Sequence, residues 1–135
     1  MKFVSLAVAV LAFAVPAFAQ TVIFSYDTTY DDPSLPLSAV TCSGLIRKGY
    51  TTLGSLPTFP NVGGMWDSPA CGTCYEVTYG NTTIAVLAVD ISPDGPLEGP
   101  SLSEEAMNTL TGEVAAELGR VDLTLTQVDP SVCGL

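Results

Sequence analysis

The chain has 135 residues, with fourteen Asp and Glu against four Lys and Arg, and no histidine. A length of this order fits one domain with one modest core and leaves no room for a second. The net charge of −10 argues against nucleic acid and anionic membrane surfaces, which would repel it, and the lack of imidazole removes every mechanism that needs a histidine.

At the N-terminus, Lys2 supplies a positive region, residues 3–15 form an almost unbroken apolar run, and Ala17-Phe18-Ala19 is the small-residue pattern that signal peptidase reads. The run falls short of the roughly 20 residues that a bilayer span needs. Residues 1–19 are therefore expected to be a secretory signal peptide. Residues 20–135 are expected to form the mature domain, beginning at Gln20, soluble, and working outside the cell or in its wall.

Further along, Thr21 to Tyr26, Cys74 to Tyr79, Thr82 to Asp90 and Val121 to Val128 are rich in β-branched and aromatic residues and read as strands. The third is apolar enough to be central. Residues 54–72, which carry Pro57, Pro60, Gly63, Gly64, Trp66 and Pro69, read as a long loop, as does the Pro/Gly run between Asp90 and Ser101. Tyr79-Gly80-Asn81-Thr82 reads as a tight hairpin turn. Asn81-Thr82-Thr83 is also an N-glycosylation sequon, so Asn81 is either a glycan acceptor at a turn tip or a residue that serves only the turn. Ser101-Leu102-Ser103-Glu104 offers a capping box for a helix with Ala106, Met107 and Leu110 on its apolar side and a stop at Gly112. A second short helix is expected from Glu113 to Leu118, ended by Gly119. Binding on a small β domain is usually built in its long loops.

Four cysteines, Cys42, Cys71, Cys74 and Cys133, in a short exported chain point to two disulfides. Three pairings are open. A Cys71–Cys74 bridge would make a redox-type ring, but no βαβ pattern follows it. The economical arrangement joins Cys42 to Cys71 and Cys74 to Cys133, closing loops of about 30 and 60 residues and contributing about 3 to 4.5 kcal/mol each. Export and unequal spacing argue against a zinc site. Nothing in the residues requires a metal or an organic cofactor.

Hydrolysis of a glycosidic bond needs two carboxyl groups, about 5 to 5.5 Å apart for retention or about 6.5 to 9.5 Å for inversion. Asp90, which closes the apolar stretch Ile84 to Val89, is the strongest single candidate; the alternative is an Asp that caps a strand end by accepting backbone N–H bonds. For a second carboxyl the chain offers Asp27, Asp67 or Asp94, with no spacing that favours one. Sugar binding also wants flat rings, for which Tyr26, Tyr30, Trp66 and Tyr75 are candidates, the last two read more readily as core. Arg47-Lys48 reads as a solvated surface pair.

Several of these segments together resemble a family. Ser25-Tyr26-Asp27, Val40-Thr41-Cys42-Ser43, Thr52-Leu53-Gly54, Phe59-Pro60-Asn61-Val62-Gly63-Gly64, Trp66-Asp67-Ser68-Pro69 leading to Cys71-Gly72-Thr73-Cys74, and Gly119-Arg120-Val121-Asp122 before Cys133 are similar to the cerato-platanins, small secreted fungal proteins. The resemblance covers essentially the whole mature chain. It implies a mainly β fold, a six-stranded double-psi β-barrel with two or three short helices like the first domain of expansins. It implies the same cysteine pairing, Cys42 to Cys71 and Cys74 to Cys133.

Functionally, the resemblance implies a non-catalytic binder of chitin or N-acetylglucosamine oligomers, or of another wall polysaccharide, with expansin-like loosening. It further implies perception by a plant receptor as a defence elicitor, and a monomer able to self-assemble at interfaces. Asp90 matches the aspartate that lies in the family's glycan groove and that acts as a general acid in related barrel hydrolases. The expected carbohydrate-binding set is Asp90, Asp27, Tyr30, Ser101 and Ser103. The alternatives are a surface-active elicitor with incidental glycan binding, and a weak polysaccharide hydrolase. The chain departs from the family pattern at Met65, where a loop is shortened, between Cys42 and Tyr50, which is compressed, and at Ser101 and Ser103, where many relatives carry asparagines.

Overall fold

The structure, a computed structural model, describes residues 19–65, 71–91 and 99–135. The expected export signal, apart from Ala19, lies outside the described residues, as do Trp66, Asp67 and Asp94. Six strands, β1 (Ala19–Tyr26), β2 (Val62–Met65), β3 (Cys74–Tyr79), β4 (Thr82–Ile91), β5 (Ser101–Leu102) and β6 (Val121–Val128), close into a barrel in the order β1-β5-β2-β4-β3-β6. β1 pairs parallel with β5, and β2 with β4, while the other four pairings are antiparallel. Each of these strands is paired on both flanks over at least part of its length. This is the expected six-stranded double-psi barrel.

Alternation along the strands builds two cores, one on each side of the barrel wall. Inward, Phe24, Val77, Val86, Ala88, Leu123 and Leu125 meet Met65, Leu102 and the apolar side of α1 (Glu104–Thr111). Outward, Leu87, Val89 and Cys74 are covered by the segment from Tyr30 to Phe59, which is wound into short 3-10 turns, and by the C-terminal turn. That second layer has no long helix or strand to anchor it. Two disulfides hold it down, Cys42 to Cys71 and Cys74 to Cys133, the pairing expected from the sequence.

Three local readings need correction. Residues 54–72 are not one loop, because β2 lies inside them, between β4 and β5. Val62-Gly63-Gly64-Met65 has little strand propensity, yet Gly63 is required: a Cβ there would lie 2.4 Å from the Ser101 carbonyl oxygen. The helix does not start from a Ser101 cap. Ser101 belongs to β5, and Ser103 is the N-cap of α1, accepting the Ala106 N–H at 3.0 Å. The second helix, α2, spans Ala115–Leu118 rather than starting at Glu113, whose φ of 73° is not helical. The Asn108 side chain accepts the Ala115 N–H at 2.9 Å at the start of α2.

Polar turns show how the outer layer is trimmed. The Ser34 hydroxyl and N–H hold the Asp32 carboxyl below the usual carboxylate range, and the Ser131 N–H does the same for Asp129, which caps the C-terminal 3-10 turn. A folded carboxyl that is depressed stabilises the fold above its unfolded value, about 3.9, and loses that contribution as pH falls through the folded value. Asp129→Ala is therefore expected to melt below wild type at neutral pH, with the gap closing in acid. Thermal melts from neutral pH into strong acid test this; a gap that ignores pH would refute it.

Candidate functional site

β4 carries the apolar run to the end of the barrel and finishes on Asp90 and Ile91. Val86 and Ala88 face the barrel interior while Leu87 and Val89 face the outer core, so strict alternation would send Asp90 inward, into apolar surroundings. A bulge prevents this. β2 pairs Gly63 with Ala88 but Gly64 with Asp90, leaving Val89 as the extra residue. One added residue reverses the phase, so Asp90 points out, where Tyr30 and Thr41 meet it.

The carboxylate is firmly held. Oδ1 accepts from the Thr41 N–H at 2.9 Å, the Thr41 hydroxyl and the Ile91 N–H at 2.9 Å; Oδ2 accepts from the Tyr30 hydroxyl at 3.0 Å. Three donors saturate Oδ1, whereas Oδ2 has acceptor capacity for one more. Each donor is placed by the fold. The Cys42 N–H bonds the Val89 carbonyl at 3.1 Å, and the disulfide to Cys71 fixes the same residue, so neighbouring Thr41 lies over Asp90. Tyr30 sits in the short turn Thr28–Asp31, whose start is capped by Asp27 accepting the Thr29 N–H at 2.9 Å.

Strand register extends the site sideways. Asp90 pairs with Gly64, Gly64 with Ser101, and Ser101 with Ser25, one rank across β4, β2, β5 and β1. The Ser25 and Ser101 hydroxyls bond each other at 2.8 Å. Beyond them, Asp31 docks α1: its two carboxylate oxygens accept the Glu104 and Glu105 N–H groups, both at 2.9 Å. A carboxylate at this position suits the positive end of the helix.

The five expected sugar contacts thus divide. Asp90 is half-buried and outward. Asp27 is half-buried and caps the turn that carries Tyr30; Ser101 is 5% exposed, bonded to Ser25 and two strands from Asp90 in the same rank. Tyr30 and Ser103 are buried. Tyr30 is only 2% exposed, packed in the outer core, so its ring offers no platform and its hydroxyl serves Asp90. Ser103 is fully buried, donating to the Pro60 carbonyl at 2.6 Å while capping α1, so its hydroxyl is spent on the fold. Of the other rings, Tyr26 and Tyr75 are half-buried against the barrel core. Thr41, Gly64 and Asp31 are the residues missed. Thr41 stood beside Cys42 as a motif residue, but no spacing rule links it to a carboxylate 49 positions away.

Asp27, weighed as a second carboxyl for hydrolysis, accepts the Thr29 N–H through Oδ1. No helix among the described residues is long and apolar enough to cross a membrane.

Fold and cross-links together define a small double-psi barrel protein stapled by two disulfides. The chain belongs to the cerato-platanin family, whose model matches residues 22–135. It is 46% identical to the heat-stable 19 kDa antigen of Coccidioides posadasii over 149 aligned positions, covering 100% of this chain and 99% of that protein. It is 41% identical to the cerato-platanin of Ceratocystis fimbriata f. sp. platani, over 87% of this chain and 90% of that one. Among solved structures, cerato-platanin 2 of M. perniciosa superposes with a TM-score of 0.77 at 36% identity, covering 86% of this chain and all of that one.

Proposed function

We propose that the protein is exported and acts as a non-catalytic binder of cell-wall glycan, with chitin-type N-acetylglucosamine oligomers as its ligand class. Its contact with wall polysaccharide loosens without cutting, and plants perceive it as an elicitor of defence. The observation that carries the binding reading is the outward Asp90 carboxylate, immobilised by Tyr30 and Thr41 with Oδ2 able to take one more donor. A sugar hydroxyl or an N-acetyl N–H is such a donor, and charge-assisted bonds of this kind are the strong ones. Export rests on Lys2, the apolar run and Ala17-Phe18-Ala19. The lack of catalysis rests on chemistry. Asp90 is surrounded by groups that donate to it, while a general acid must itself donate to the leaving oxygen. The elicitor reading is supported by family membership alone.

The test is an NMR titration of the oxidised mature protein with N-acetylglucosamine oligomers, beside cello-oligomers and the Asp90→Asn variant. Saturable shifts at Thr41, Asp90 and Ser101 are expected, with affinity about tenfold or more weaker in Asp90→Asn, as the loss of a charged acceptor implies. No saturable shift with either sugar would refute the reading. Release of reducing ends from chitin would refute its non-catalytic half. N-terminal sequencing of protein from the culture medium should start at Gln20.

A further inference from the structure

The hairpin joining β3 and β4 lies far from Asp90 and plays no part in the site. Its two central residues, Gly80 and Asn81, connect the pair Tyr79 and Thr82. Gly80 has φ of 59°, whereas Asn81 is not among the residues with positive φ, of which Glu113 is the non-glycine example. This is the pattern of a type II′ turn, in which only the first central residue must be left-handed. The turn therefore has its glycine where it needs one, and Asn81 is not held there by the left-handed conformation that often explains an asparagine in a hairpin.

Gly-Asn also suits such a turn, and Asn81-Thr82-Thr83 is in addition the only Asn-x-Ser/Thr sequence in the chain. Asn81 is exposed, and Gly80 beside it is so open that a Cβ built there would meet nothing within 4 Å. A bulky group on Asn81 has room.

We propose that Asn81 is an N-glycan acceptor, and that its glycan stands at the end of the barrel opposite Asp90. In the transfer, the Asn81 amide nitrogen forms a bond to C1 of an oligosaccharide carried on a lipid diphosphate. The C1–O bond to the diphosphate breaks, the lipid diphosphate leaves, and the amide gives up one proton. The placement follows from β4, which spans Thr82 to Ile91 with its bulge at Val89, next to Asp90. At about 3.3 Å per residue, the strand separates Asn81 from Asp90 by roughly 25 to 30 Å. The covalent glycan and the ligand glycan thus occupy opposite ends of the molecule, and modification leaves the Asp90 site open.

The acceptor proposal rests on the export reading, because the donor lipid is met in the secretory pathway. The full chain is expressed in a fungal secretory host, and protein from the medium is weighed intact before and after peptide N-glycosidase in heavy-oxygen water, which leaves a labelled aspartate wherever a glycan stood. Wild type and Thr82→Val, which keeps the sequon, are expected to carry the glycan and the label at residue 81. Asn81→Gln and Thr83→Ala are expected to carry neither. Affinity in the N-acetylglucosamine titration should be the same with and without the glycan. Secreted protein that starts at Gln20 with an unmodified mass overturns the acceptor proposal and leaves export standing. Chain retained in the cell with residues 1–19 attached overturns both. A change in sugar affinity on removing the glycan overturns its placement.

Discussion

Removing the Cys74–Cys133 bridge with the double variant Cys74→Ala/Cys133→Ala is expected to lower stability by about 4 kcal/mol, more than Cys42→Ala/Cys71→Ala at about 3.5 kcal/mol. The sequence separations are 59 and 29, and a longer closed loop removes more entropy from the unfolded chain. Position widens the difference. Cys74 and Cys133 are both buried in the outer core, joining a barrel strand to the C-terminal turn, whereas Cys71 is half-buried. The outer layer is built of short 3-10 turns, and such turns supply little stability of their own. Equilibrium denaturation of the two double variants measures both losses. A Cys42/Cys71 variant that loses as much or more would show that the layer is held mainly from the Thr41 side. Loss of Cys42–Cys71 carries its own signature, because Cys42 positions Thr41 over Asp90: sugar binding should weaken in that variant even under conditions where it stays folded.

Gly63→Ala is expected to cost about 3 kcal/mol or more, at the upper end of overpacking effects. The new Cβ would lie 2.4 Å from the Ser101 carbonyl oxygen, 3.0 Å from Leu102 Cδ2 and 3.2 Å from Leu102 Cα. Backbone cannot yield as a side-chain tip can, and β2 is bound on both flanks, to β4 and to β5. Any relief must push β5 away, which also pulls Ser101 out of the rank that contains Gly64 and Asp90. Gly44→Ala is the control: a Cβ there meets nothing within 4 Å, so the change should stay within about 0.5 kcal/mol of wild type. Urea denaturation of both variants decides the matter, and a Gly63→Ala protein as stable as Gly44→Ala would mean that β5 is looser than its pairing indicates.

Legibility in the sequence followed the physics of each element. β3, β4 and β6 show β-branched alternation or a long apolar run, and both hold whatever the neighbours are. α1 is visible through Glu104, the apolar Ala106, Met107 and Leu110, and Gly112, but its cap is ambiguous between Ser101 and Ser103, because two serines two positions apart offer the same local signal and only the pairing of β5 separates them. β2 was invisible for the opposite reason. Gly63 is required by a contact with Ser101 and Leu102, some 38 residues away, and a glycine there weakens the local strand signal.

The site divides in the same way. Asp90 stood out because a charge ending an apolar strand is conspicuous in one dimension. Acidity, the four cysteines, most of the strands and the family resemblance are legible along the chain, because they rest on composition, local periodicity or ordered motifs, and the same reading sets the expectation of an exported single domain. The bulge at Val89 that turns Asp90 outward, the hold of Thr41 and Tyr30 on it, the burial of Tyr30 and Ser103, and the place of Asn81 at the opposite end of β4 emerge from the assembled barrel alone. These depend on register and on contacts between residues far apart in the chain, and strand register is a property of the assembled barrel rather than of any one segment.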